Sequence, residues 1–344
     1  SYSVLLNCMP IPTKNLLTLN IGQESERRSC TTTLNFFRTL LPSSAFISNF
    51  ALAYLSYKAE DKAMNHKLLL ILFLALLSLN AWSQSKITMK GEWMYTDVTL
   101  SDGGSVHNVP GLIDTGCSVC IIDSTYAVDS CHIKDLKGDK IMDNTAGQSI
   151  KSSYVYLDSI SFASSTYTHV WCFIVDLAGK LKQFAPKFII GGDILKRDPW
   201  CFDLKTCQLQ RLNNLPTNVA TSLAWKNYAD AGLNIIHFKG KIAGKKTRIH
   251  FDTGARFNAV LPTSELTPTA YIEIPGADIA EALTTKTVGQ CKNIPVEISD
   301  YRFKVDFIKP TDDGSEEPRL NASFLMGKKW VLDYEHRQLL ILSQ

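Results

Sequence analysis

Polar and apolar residues alternate through Met94-Tyr95-Thr96-Asp97-Val98-Thr99-Leu100, the pattern of a half-buried strand. Ser101-Asp102-Gly103-Gly104-Ser105 follows with turn chemistry, and Val109 to Asp114 reads as a returning strand. The same grammar recurs downstream. Asn234 to Ile242 is strand-like, Gly244-Lys245-Lys246 turns, and Thr247 to Asp252 returns. After residue 90 the one candidate helix is Ser222 to Ala231. This part of the chain is expected to be mostly β.

Both hairpins end on the same tripeptide, Asp114-Thr115-Gly116 and Asp252-Thr253-Gly254. Each is followed by an apolar run closed by Gly. Phe188-Ile189-Ile190-Gly191 ends 77 residues after Asp114, and Phe324-Leu325-Met326-Gly327 ends 75 after Asp252. Further on, Trp200-Cys201-Phe202-Asp203-Leu204 precedes Gln208-Leu209, and Trp330-Val331-Leu332-Asp333-Tyr334 precedes Gln338-Leu339. The Trp, Asp and Gln positions match at an offset of 130 residues, the tripeptides at 138. One net indel of about eight residues, set before the first Asp, accounts for the difference. A repeat on this scale means two fused copies of one small domain, with one carboxylate from each copy available at their interface.

The ends change the picture of what belongs to the fold. Leu68 to Leu79 is almost wholly Leu, Ile, Phe and Ala, too short to span a bilayer. Met64-Asn65-His66-Lys67 precedes it as a start and basic flank, and Ala81-Trp82-Ser83 follows as a small-x-small cleavage site. Residues 64–83 therefore read as a signal peptide rather than a buried helix or an anchor, with cleavage before Gln84. Residues 1–63 lie ahead of it without periodicity and are expected to stand outside the folded protein. The remainder divides into a first lobe at 84–213, a linker at 214–224 centred on Asn213-Asn214-Leu215-Pro216-Thr217-Asn218, and a second lobe at 225–344.

The chain has 344 residues, 45% of them apolar, and a net charge of +3. That charge, with no basic stripe interleaved with aromatics, excludes nucleic acid as an expected partner. Beyond the leader stand seven cysteines: Cys117, Cys120, Cys131, Cys172, Cys201, Cys207 and Cys291. Export permits disulfides, and the odd count leaves at least one thiol free. Cys117-Ser118-Val119-Cys120 has the spacing of zinc and redox motifs but lacks a second pair or a nearby His cluster, so packing beside the turn is the preferred reading. There is no Gly-x-Ser-x-Gly, no His-Glu-x-x-His and no phosphate-cradling Gly loop.

These residues resemble the aspartic proteases, both the bilobal pepsin-like enzymes and the retropepsins. The resemblance covers most of residues 88–344 and rests on the two Asp-Thr-Gly turns, the apolar-apolar-Gly signals and the paired Trp-x-x-Asp ends. Ile189-Ile190-Gly191-Gly192-Asp193-Ile194-Leu195 is most similar to the retropepsin segment beneath the catalytic turn. The resemblance implies two similar β-barrel lobes of acid-protease type with the active-site cleft between them. It implies Asp114 and Asp252 as the catalytic dyad, Thr115 and Thr253 as braces across the interface, and Gly116 and Gly254 as the residues that allow the tight turns. Two carboxylates about 3 Å apart share one proton and titrate as a pair. The ionised member takes a proton from water while the neutral one donates to the scissile carbonyl. No cofactor or metal is called for.

The chain departs from the family where Cys117-Ser118 and Ala255-Arg256 follow the tripeptides. Arg256 brings a cation near the second Asp, able to bind a substrate carboxylate, pair with an acid, or depress the dyad titration. Thr145, Ala146 and Gly147, in the hairpin tip Asp143 to Gln148, are flap candidates similar to a retropepsin flap, with Tyr154 and Tyr156 on the return strand. A second tip is expected at Thr285-Lys286-Thr287-Val288-Gly289-Gln290, which leaves the number of flaps open. Asp312-Asp313-Gly314-Ser315-Glu316-Glu317 fits no standard calcium loop and reads as a solvated acidic loop. The expected protein is an exported (periplasmic or extracellular), monomeric, all-β aspartic endopeptidase without stable membrane insertion. It would act on extended peptide or protein. The competing class is an inactive peptide-binding module of the same fold.

Overall fold

The computed structural model describes residues 84–134, 136–143, 149–226, 234–276, 283–311 and 317–343, all within the compact unit Ala81–Gln344. The signal-peptide and upstream expectations, the flap candidates Thr145, Ala146 and Gly147, and residues 312–316 of the acidic loop lie outside the described residues. The protein is all-β.

Nineteen strands are present among the described residues. The first copy contains β1 (Gln84–Lys90), β2 (Trp93–Asp102), β3 (Ser105–Ile113), β4 (Cys120–Asp123), β5 (Lys137–Asp143), β6 (Ser149–Phe162), β7 (Ser165–Val175), β8 (Phe188–Ile190), β9 (Trp200–Asp203) and β10 (Gln208–Arg211). Two short helices, α1 (Leu177–Leu181) and α2 (Gly192–Leu195), flank β8. The second copy contains β11 (Val219–Lys226), β12 (Ile236–Ile242), β13 (Lys245–Phe251), β14 (Ala270–Gly276), β15 (Thr284–Ile298), β16 (Tyr301–Lys309), β17 (Arg319–Leu320), β18 (Lys329–Asp333) and β19 (Gln338–Leu342).

The hairpins read from alternation are present. β2 and β3 pair antiparallel from Tyr95↔Leu112 to Asp102↔Ser105, and β12 and β13 from Ile236↔Phe251 to Ile242↔Lys245. In each copy the strand leading to the Asp is then joined by a short parallel strand. Ile113 pairs with Ile190, and Phe251 pairs with Leu320. Ile121 lies between Phe173 (parallel) and Ile189 (antiparallel), and Ala259 between Ile308 (parallel) and Arg319 (antiparallel).

This pairing corrects the register of the second apolar-Gly signal. The counterpart of Ile190 is Leu320, not Met326, at the same 130-residue offset as Trp200 and Trp330. Phe324 and Leu325 instead sit in the 3₁₀ turn Ala322–Leu325, the counterpart of α2. The eight-residue difference accordingly lies after the Asp: 76 residues from Asp114 to Ile190, 68 from Asp252 to Leu320.

A six-stranded antiparallel sheet in the order β1-β10-β9-β18-β19-β11 joins the copies. Its centre maps onto itself under the repeat: Trp200 opposes Leu332 and Phe202 opposes Trp330. The Phe202 and Trp330 rings stack at 4.0 Å, fully buried. The outer strands obey the same rule, since Ile87 N donates to Cys207 O and Trp225 N to Arg337 O, at 2.8 and 3.0 Å.

Two local expectations change. Ser222 to Lys226 is strand rather than helix, and most of the supposed linker after residue 218 belongs to β11. The reason is period: Leu223 and Trp225 are buried while Ser222, Ala224 and Lys226 are exposed. Thr285–Gln290 is not a tip but the start of β15, paired with β14 from Gly276↔Thr284 to Ala270↔Gln290. β-Branched Thr and Val outweigh the single Gly289 there. No helix among the described residues is long and apolar enough to cross a membrane.

Candidate active site

Each Asp sits where its strand runs out. Asp114 N still donates to Ile190 O (3.1 Å) and Asp252 N to Leu320 O (2.8 Å), so both backbones remain tied to the parallel strand. The chain then turns sharply. Gly116 N donates to Asp114 Oδ1 at 2.8 Å, and Gly254 N to Asp252 Oδ1 at 2.9 Å, the Asx turn that an Asp-x-Gly sequence encodes.

The threonines then cross. Thr115 N donates to Thr253 Oγ1 and Thr253 N to Thr115 Oγ1, both at 3.0 Å. Each hydroxyl passes its own proton into the opposite strand, Thr115 Oγ1 to Phe251 O (3.0 Å) and Thr253 Oγ1 to Ile113 O (2.7 Å). Both threonines are fully buried, so all four bonds are made out of water. The bracing also brings each carboxylate over the other copy's glycine. A Cβ on Gly116 would collide with the Asp252 carboxylate, and one on Gly254 with that of Asp114. Glycine is required here by this approach.

The two carboxyl groups are hydrogen-bond neighbours. Burial pushes the Asp114 carboxyl well above the usual carboxylate range. The Asp252 charge and their shared hydrogen bond push it further, against the pull of the Gly116 N–H. The pair therefore holds a proton where a lone surface Asp would have lost it. Cys117 and Cys120 are buried thiols whose titration burial raises, with Asp114 a further cause at Cys117 and a hydrogen bond to Cys172 a further cause at Cys120. Burial thus favours the neutral thiol at both positions. The seven cysteines among the described residues are all free thiols.

Several neighbours carried no readable signal. Arg319 Nη1 lies 3.7 Å from Asp252 Oδ2. Beside it His250 is buried, its titration lowered to about 4, first by burial and against the attraction of Asp252. His237 stacks on His250 at 5.2 Å and lies 3.0 Å from Glu317, which also pairs with Arg248. Glu317, assigned from sequence to a solvated acidic loop, is thus an ion-pair partner inside the second copy. Asn321 occupies the position of Gly191. Its side chain accepts from Ser323 N and reaches Ala255 O and Arg256 O, holding the second turn from below. Trp93 Nε1 donates to Gly254 O at 2.8 Å, and Asn234 Nδ2 to Ser118 O at 3.2 Å. Arg256 pairs with neither Asp among the described residues. Its guanidinium lies over Phe184 (4.8 Å) and Phe257 (5.3 Å). The repeat offset, extended from Trp200 back to Ile189, is the signal that could have found Arg319.

Residues 96–194 match the aspartyl protease family model. The matched segment runs from β2 through the first Asp-Thr-Gly turn to α2 and supports an aspartic protease family. No match was found among curated proteins.

Proposed function

We propose that the chain is an aspartic endopeptidase in which Asp114 and Asp252 activate one water between them. The observation that carries this reading is the reciprocal bracing of Thr115 and Thr253, which holds two carboxyl groups in hydrogen-bond contact at the junction of the copies. Arg319 stands beside Asp252 alone, so the single negative charge of the pair is best held there. Asp252 then takes the proton of the attacking water, while Asp114, kept neutral, donates to the scissile carbonyl oxygen. The tetrahedral intermediate collapses as the proton gained by Asp252 passes to the leaving amine. One chain supplies both acids, so a monomer suffices. Extended peptide is the substrate class. Export with a mature end near Gln84 is part of the same proposal, and N-terminal sequencing of exported protein tests it.

Purified protein incubated with an unfolded polypeptide from acid to neutral pH should cleave it. Asp114→Asn and Asp252→Asn should each remove the activity without unfolding the chain. Binding without cleavage at any pH would return the inactive peptide-binding module. Substantial activity in either single variant would end the dyad assignment.

A further inference from the structure

A cavity of about 480 Å³ opens beside the second Asp-Thr-Gly turn. Its walls come from both copies: Trp93 and Phe184 from the first, Arg256 and Phe257 from the second. Trp93 ties the cavity to the turn itself through its bond to Gly254 O. Trp93 and Phe184 meet edge to face at 6.3 Å, a preferred aromatic geometry that fixes the wall. The Arg256 guanidinium lies against Phe184 and Phe257 and has no carboxylate partner among the described residues. Lys90, also lining the cavity, rests its ammonium 4.6 Å from the Tyr95 ring and likewise lacks an ion pair there. The opposing charge is Glu92, which has a buried carboxylate oxygen without a hydrogen-bond partner.

We propose that this cavity is a substrate subsite for a peptide carboxylate, whose aliphatic stem lies on the aromatic wall and whose charge meets Arg256. The inference rests on the protease reading, which it deepens by naming a substrate class. A guanidinium already stacked on two rings loses little freedom on forming a bidentate carboxylate pair, and the rings exclude water from one side of it. Two cations against one anion favour an acidic over a basic occupant. The buried Glu92 oxygen is suited to accept a main-chain N–H from the same extended peptide. The carboxylate can come from a Glu or Asp side chain or from a substrate C-terminus.

The test uses the full chain and a peptide panel carrying Glu, Gln, Leu or Lys in turn at each position around one cleaved bond. C-terminal acid and amide forms are included. At one position Glu should exceed Gln by about tenfold in kcat/KM. Arg256→Met should abolish that preference, and Arg256→Glu should transfer it to Lys. Arg256 is exposed, so neither change threatens the fold. Preference for the acid over the amide form, with no internal Glu preference, would assign the site to a chain end. In parallel, binding of the same peptides to Asp114→Asn protein is followed by fluorescence anisotropy. Cleavage with no charge preference, or a preference that survives in Arg256→Met, overturns the inference and leaves the protease reading standing. Charge-selective binding that Arg256→Met abolishes, with no cleavage by the wild type, upholds the inference and removes the protease reading.

Discussion

Behind the first turn, Leu112 and Ile189 sit in an apolar cluster with Tyr95, Ile121 and Phe173. Behind the second, the same two register positions hold His250 and Arg319, backed by His237, Arg248 and Glu317. The main-chain scheme is nonetheless the same in both, bond for bond, through the crossed threonines and the tie to the parallel strand. Backbone geometry is therefore set by the tripeptide and the sheet, and the layer beneath it is free to vary. What that layer changes is charge. An apolar backing puts no charge beside Asp114, whose carboxyl is raised by burial and by the Asp252 charge, and a charged backing gives Asp252 a cation. Two acids made equivalent by the repeat are made unequal by what lies one strand away.

The largest effects should come from breaking the part that the copies share. Asp114→Asn or Asp252→Asn should each lower kcat by about 10²–10⁴-fold, as expected for loss of a general acid or base. Thr115→Val and Thr253→Val each strip a buried hydroxyl that makes two bonds. Each should cost about 2–4 kcal/mol in urea unfolding, because buried groups are left unpartnered. The two costs should agree, and the double variant should cost less than their sum. Unequal single costs would mean that the bracing is not reciprocal.

The unshared layer should reveal itself through pH. His250 titrates near 6.5 when unfolded and about 4 when folded. Between those values the unfolded chain binds more protons, so the neutral buried imidazole makes the fold lose stability as pH falls from 6.5 towards 4. The loss is on the order of 3 kcal/mol. Asp114 acts in the opposite sense. Its folded value is raised, so stability is lost as pH rises above the ordinary carboxylate value of 3.8. Thermal melts from pH 4 to 7 should show the His250→Leu variant losing the acid-side decline. Asp114→Asn should lose the opposing one. Arg319→Ile, which copies the first turn's residue into the second, should keep the fold and shift the acid limb of kcat/KM to higher pH. An unchanged limb would separate Arg319 from the charge of the pair.

The division between shared and unshared layers also explains what could be read in advance. The Asp-Thr-Gly turns, both hairpins and the Trp-x-x-Asp strands were legible because each is a short local pattern tied to one conformation. The second apolar-Gly signal was misplaced because Phe324-Leu325-Met326-Gly327 satisfies a composition rule. The strand that pairs, Arg319–Leu320, has only two residues and one of them is charged. β11 has the composition of linker and helix although Leu223 and Trp225 already alternate. Arg319 and Trp93 acquire their roles only through neighbours 67 and 161 residues away in sequence, and no local pattern encodes such a contact.

The smallest test concerns one donor that each copy sends to the other's turn. Trp93 Nε1 reaches Gly254 O from the first copy, and Asn234 Nδ2 reaches Ser118 O from the second. Both are side chain to main chain, partly buried, and separate from the threonine bracing. Trp93→Phe keeps a ring against Phe184 and removes the donor, and Asn234→Ala removes the amide. Each should cost about 1 kcal/mol, the net worth of one such bond. In a chain of this size that lowers Tm by roughly 2–4 °C. The bonds share no atoms and belong to different turns, so the double variant should be additive within about 0.5 kcal/mol. Strong coupling between them would mean that the turns move as one body. The charged backing would then perturb Asp114 as well as Asp252, and the inequality of the two acids would have to come from desolvation alone.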